Sequence, residues 1–250
     1  MVEYNTHCQL SKKGDLLMSN SRNIAISEER SSLWFVIVVA IFITSLITAN
    51  IIAVKLIGVA GLVLPAGTII FPVSYIFGDV LTEVYGYSRA RRVIWLGFFC
   101  NLITVVAIWI AQIIPPASFW SGQAAYEQIL GFTPRLLLAS FFAYLAGEFA
   151  NSFVIAKLKI ISKGRFLWVR TIGSTLVGQG IDSFVFITIA FFGTIPNAAM
   201  VSTIITQWLV KSGYEAIATP LTYLVVNYLK RKENLDVYDQ NTNFNPLKMN

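Results

Sequence analysis

Histidine occurs once and cysteine twice in the 250 residues, none of them where chemistry could use it. His7 and Cys8 sit in a polar N-terminal stretch and Cys100 lies inside an apolar run, so neither a disulfide framework nor a metal-ligand spacing is present. With a single histidine, a Ser-His hydrolase and a histidine-held metal centre are excluded. The chain also lacks a G-x-x-x-x-G-K-[ST] loop, so any ATP hydrolysis would have to occur on a partner. Charge is scarce as well. Only 13% of residues are Asp, Glu, Lys or Arg while 56% are hydrophobic, a balance too apolar for a soluble domain of this length. The formal charge of +6 does not indicate nucleic acid, because the basic residues gather in short segments between apolar runs, where membrane topology accounts for them.

What is there is a succession of apolar runs of spanning length, at about 33–54, 62–84, 93–114, 135–156, 171–193 and 199–228. They predict an all-α polytopic membrane protein, with about six transmembrane helices in one bundle over residues 33–229. Polar tails over 1–32 and 230–250 flank it, the first reading as disordered or loosely helical and the second as disordered. No cleavable signal fits, and the first run serves as a retained span. Arg89, Arg91 and Arg92 follow the second run. Lys157, Lys159, Lys163, Arg165 and Arg170 follow the fourth, and Lys230, Arg231 and Lys232 the sixth. Segments 115–134 and 193–198 are almost free of basic residues, so the positive-inside rule places both termini in the cytoplasm and the 115–134 loop outside. In that loop Pro115-Pro116 stops a helix, and a semi-apolar piece over 124–130 suits the membrane surface.

Several runs carry residues that lipid would not tolerate. Tyr75, Asp79 and Glu83 fall at i, i+4 and i+8 in the stretch Phe71 to Gly86, one polar stripe on a helix that leads into Ser88-Arg89-Ala90-Arg91-Arg92, a basic loop. The fourth run brings Tyr144, Glu148 and Asn151, the fifth Gln179 and Asp182, and the sixth Gln207, Lys211 and Glu215. A carboxylate near the bilayer interior costs roughly 2.5–3.5 kcal/mol on insertion scales, so these faces must turn towards one another and enclose a wet cavity. Lys211 is expected to neutralise Glu215 one turn on, and the arginines after the second run to reach back to Glu83. At least one acid among Asp79, Glu148 and Asp182 is then left to be protonated, to hold a cation or to accept hydrogen bonds from a ligand. The bland alternative is buried ion pairs that fix helix register. Phe184, Phe186, Trp208 and Tyr214 are candidate stacking surfaces, and Ala49 with Ala53 makes a small-residue face for close packing. A flat polar heterocycle suits such a cavity, with a carboxylate accepting two parallel N–H bonds and an amide reading the remaining edge; protons or alkali cations would use the same acids.

The run Pro72, Tyr75, Asp79, Glu83, Tyr85-Gly86, Ala90-Arg91-Arg92, Trp95 and Gly97 resembles the signature of the queuosine precursor transporter family, also described as vitamin-uptake-like proteins. The likeness continues through Gly147-Glu148, the Gly-Gln-x-x-Asp region ending at Asp182, and Lys211 with Thr219-Pro220-Leu221-Thr222-Tyr223, over nearly all of residues 33–231. It implies a bacterial inner-membrane importer of 7-cyano-7-deazaguanine or its aminomethyl relative, with no cofactor, no metal and no enzymatic activity. It also implies that the acids of the second, fourth, fifth and sixth runs belong to the substrate site; together with the polar residues on their faces, the expected site is Tyr75, Asp79, Glu148, Asn151, Gln179, Asp182, Lys211 and Glu215, with protons as a further expected partner. Two other classes stand beside it. One is the binding subunit of an energy-coupling-factor importer. The other is a membrane phosphotransferase that uses Asp79, Glu83 and the nearby arginines with a divalent ion.

Overall fold

The computed structural model describes residues 32–53, 55–59, 62–131, 134–193, 196–240 and 242–248; the expected tail over 1–31, with His7 and Cys8, lies outside them. The chain divides into two units, Met1–Val36 and Ile37–Asn250. Of the first, the described part is the opening of helix α1, where Ser32 Oγ accepts the Trp34 N–H at 3.1 Å. The helix bundle itself lies in the second.

The expectation of an all-α bundle holds, with one short exception. Helices α1 (Leu33–Ile52), α2 (Phe71–Tyr85), α3 (Tyr87–Ile113), α4 (Gln123–Leu130), α5 (Pro134–Ile161), α6 (Leu167–Phe191) and α7 (Asn197–Glu233) are interrupted, among the described residues, by one antiparallel hairpin, β1 (Leu56–Val59) with β2 (Leu62–Pro65), and a 3-10 turn over Ala66–Ile69. Among the described residues, four helical stretches are long and apolar enough to cross a bilayer: Leu33–Ile52, Tyr87–Ile113, Leu138–Ile161 and Leu167–Phe191. The expected span over 62–84 is replaced by β2, the turn and α2. At 15 residues α2 is about 22 Å long, short of the roughly 30 Å of hydrocarbon. At 37 residues α7 reaches about 55 Å and carries Lys211 and Glu215 along its length.

Two glycines set the geometry. Gly86, at φ 85°, is the only residue between α2 and α3, and that left-handed turn is one a side chain would strain. The segment expected as a basic loop, Ser88 to Arg92, is therefore already helical. Where α5 crosses α6, a Cβ on Gly178 would stand 2.8 Å from Asn151 Cβ and 3.0 Å from Gly147 O. This backbone-to-backbone approach is what small residues allow between helices in lipid. The Ala49 and Ala53 face likewise packs closely, but against Gly67 of the 3-10 turn rather than against another helix. Gly180 faces the Trp208 indole, whose Nε1–H is already donated to Leu176 O at 2.9 Å. The predicted surface piece forms α4, with none of its residues buried.

The C-terminal segment departs furthest from expectation. Rather than a disordered tail, residues 235–240 and 242–248 fold back over the ends of α2, α3 and α5. Tyr87 N–H, at the start of α3, donates to Asp239 Oδ2 at 2.9 Å, a helix cap supplied from 152 positions away. Arg91, only 1% exposed, donates through Nη1 to the carbonyls of Asn243 and Asn245 at 2.8 and 2.7 Å. Trp95 Nε1 donates to Pro246 O, and Lys157 stands 4.1 Å over the Phe244 ring. A polar composition suggests disorder when a segment has nothing to bury; here its partners include the buried Tyr87, Arg91 and Lys159 of the bundle.

Candidate functional site

Alternation of direction along the bundle places the C-terminal half of α1, the start of α2, the N-terminal halves of α5 and α7 and the C-terminal half of α6 at one end. The lysine- and arginine-rich helix ends lie at the other. A cavity of about 520 Å³ opens among the former set, within the range of small-molecule sites. Its walls carry Asn50 from α1, Tyr75 from α2, Tyr144 and Glu148 from α5, Asp182 and Phe186 from α6, and Gln207, Lys211, Tyr214 and Glu215 from α7. Asn50 Nδ2 donates to Asn101 Oδ1 at 3.2 Å, which ties α1 to α3 behind that wall.

The eight expected site residues therefore separate into two layers. Tyr75, Glu148, Asp182, Lys211 and Glu215 line the cavity. Asp79, Asn151 and Gln179 do not; they are 1%, 0% and 0% exposed, closer to the basic end. Asn151 Nδ2 donates to Asp79 Oδ1 at 2.8 Å, joining α5 to α2. Of the expected stacking surfaces, Phe186 and Tyr214 line the cavity, while Phe184 is exposed on the outside of the bundle.

Both expected ion pairs are corrected. Lys211 Nζ lies 2.6 Å from Asp182 Oδ2 on α6, not on Glu215 of its own helix. A cross-helix partner holds the ammonium, where a same-helix partner would leave Asp182 uncompensated. Glu83 is met not by the arginines that follow it but by residues far along the chain. Arg170 grips it with Nε at 3.1 Å and Nη2 at 2.7 Å, and Lys230 Nζ lies 2.7 Å from its Oε1. Lys159 Nζ stands 3.7 Å from the same oxygen and 2.5 Å from Asp236, which also holds Lys230 at 2.9 Å. Glu83 is fully buried, and Arg170 and Lys159 are each 1% exposed. This five-membered network closes the basic end and joins α2, α5, α6, α7 and the C-terminal segment. Burial pushes the Asp236 carboxyl up, but the hydrogen bonds from Lys159 and Lys230 outweigh it and leave the group below its ordinary range. The sequence assigned these cations to membrane orientation; the buried face each occupies is set by helix rotation.

Between cavity and network lie polar atoms that no described residue satisfies: Glu148 Oε2, Asn151 Oδ1, Thr175 Oγ1, both amide atoms of Gln179, Ser183 Oγ and Glu215 Oε1. Thr175 and Gln179 stand beside Glu215. Natural proteins satisfy the large majority of such groups, so a concentration of them along one side of a cavity marks hydrogen-bonding capacity kept for something other than the fold.

Membrane-embedded helices that turn acids, amides and aromatic faces onto an internal cavity make a multi-pass membrane transporter, and no cluster of metal-ligating side chains occurs among the described residues. The chain belongs to the family described as "Putative vitamin uptake transporter", which matches residues 65–225. It is 31% identical over 188 residues to the "Probable queuosine precursor transporter" of Bacillus subtilis, covering 75% of this chain and 82% of that one. The protein of the same description in Haemophilus influenzae is 29% identical over 126 residues, half of this chain and 51% of that one. The "Queuosine precursor transporter" of Escherichia coli is 28% identical over 137 residues, 54% of this chain and 58% of that one. No solved structure matches the chain. These relatives are transporters, and this chain is a transporter of a bacterial membrane rather than an enzyme.

Proposed function

We propose that residues 33–229 form a transporter domain that imports a queuosine precursor, 7-cyano-7-deazaguanine or its aminomethyl form, into the cytoplasm. The observation that carries the reading is the pair of buried acids, Glu148 and Glu215, each with an oxygen unused by the protein and each lining the cavity. The 7-deazaguanine ring offers two parallel N–H donors on one edge, which a carboxylate accepts in a bidentate fashion. Phe186 and Tyr214 offer the ring faces a stacking surface, and Gln179 and Asn151 supply amides below. Lys211 holds Asp182 ready as a further acceptor. Asp79, bonded to Asn151 beneath the cavity, is a proton site or second acceptor reached as the bundle rearranges.

With the basic ends in the cytoplasm, the cavity faces outward and the Glu83 network forms the inner barrier. Import then requires that network to part while the outer half closes, an exchange of two arrangements of the same helices. The test is a bacterial host that can neither make nor import the precursors, expressing this chain and fed either one. Queuosine should return to its tRNA, and Glu148→Gln should reduce that return. A host that makes full-length protein in its membrane yet gains no queuosine from either precursor refutes the proposal.

A further inference from the structure

The charge balance of the cavity bears on which precursor is carried, a choice that the proposed function leaves open and on which any inference rests on that function. Among the described residues, four strongly ionisable side chains line the cavity: Glu148, Asp182, Lys211 and Glu215. Lys211 and Asp182, 2.6 Å apart, compensate each other. That leaves two carboxyl groups from different helices, 2% and 6% exposed, and neither makes an ion pair with any described residue. Glu148 Oε2 and Glu215 Oε1 are buried and accept no hydrogen bond. Among the described residues, the concentration of cations around Glu83 is occupied with Glu83 and Asp236 at the opposite end of the bundle.

We infer that the cavity selects a positively charged solute, a flat heterocycle bearing an ammonium group, and hence the aminomethyl precursor over the cyano one. The two acids divide the work. One accepts the paired N–H donors of the pyrimidinone edge, and the other accepts the ammonium, which is charged at neutral pH. A nitrile carries only an acceptor. Set against the second carboxylate it meets like polarity, and the site can take it only by keeping that carboxyl protonated. Charge-assisted hydrogen bonds are about twice as strong as neutral ones, and an unpaired buried charge costs more than a lost neutral bond. The expected preference is on the order of ten- to a hundredfold in Kd.

The experiment uses the full-length chain in lipid nanodiscs, titrated calorimetrically with the aminomethyl form, the cyano form and 7-hydroxymethyl-7-deazaguanine, a neutral analogue of similar size. The aminomethyl form should bind at least tenfold more tightly than both neutral compounds. A Gln amide imitates a protonated carboxyl and can donate to the nitrile. Either Glu148→Gln or Glu215→Gln should therefore reduce the preference to threefold or less, chiefly through weaker aminomethyl binding. The hydroxymethyl comparison needs no variant and stands even where a substitution fails to fold. Cyano or hydroxymethyl compound bound as tightly as the aminomethyl form overturns the charge selection and leaves the functional reading intact. Failure of folded protein to bind any of the three overturns both. Folded Gln variants that all keep the full preference remove Glu148 and Glu215 from the role.

Discussion

Replacing Glu83 with Gln removes one charge and almost no volume from the centre of the network at the basic end. The carboxylate accepts two hydrogen bonds from Arg170 and one from Lys230, and stands 3.7 Å from Lys159. Without it, Arg170, 1% exposed, keeps its burial and loses its anion, while Lys159, also 1% exposed, is left with Asp236, whose side chain is 42% exposed and lies on the far side of the two lysines. Breaking a buried ion pair from one side costs roughly 3–5 kcal/mol, because the surviving charge is left without compensation. For a chain of this length that corresponds to a fall of about 6–20 °C in melting temperature. Lys230→Met gives the internal comparison. Lys230 is 19% exposed and its loss leaves Glu83 still held by Arg170, so its cost should be about 1 kcal/mol, a few degrees. Melting of purified protein followed by intrinsic tryptophan fluorescence reads both. Glu83→Gln melting within about 2 °C of the parent, or Lys230→Met costing as much as Glu83→Gln, would show that the network does not hold the bundle together as described.

Gly178→Ala places a methyl 2.8 Å from Asn151 Cβ at the α5–α6 crossing, and should cost about 1–3 kcal/mol by thermal melting; an unchanged melting curve would mean that the crossing gives way freely. Because Asp236 titrates below its ordinary range, its contribution is complete above the unfolded value near about 3.9 and is lost as pH falls through the lower folded value. Residues 235–240 and 242–248 should therefore become open to protease only below about pH 4, and Asp236→Asn should make the segment cleavable at neutral pH; equal cleavage of parent and variant throughout would disconnect Asp236 from the docking. Purified chain alone in liposomes should move labelled precursor down its gradient, and transport seen only after adding an ATP-hydrolysing partner would favour the energy-coupling-factor reading instead.

Much of this molecule was legible in local sequence. An apolar run of about 20 residues has few ways to satisfy its backbone in lipid other than as a helix, so the all-α class followed from composition and length. The spacing of Tyr75, Asp79 and Glu83, or of Lys211 and Glu215, fixed which groups share a helix face, because 3.6 residues per turn is a property of the segment itself. Five of the eight expected site residues reach the cavity for that reason. The partners were another matter. Lys211 chose Asp182 over Glu215, and Glu83 drew Arg170, Lys159 and Lys230 from 76 to 147 positions away, passing over the arginines beside it. The carbonyls of the C-terminal segment found their donors on Arg91 and Trp95, though its own composition promised nothing. Each of these outcomes depends on the rotation and axial register of one helix against another. Those are settled by the Gly147–Gly178 crossing and the Gly86 turn, where the whole packed bundle acts at once. A charge follows its helix face by local geometry; which opposite charge waits across the gap is decided only when all the helices have docked.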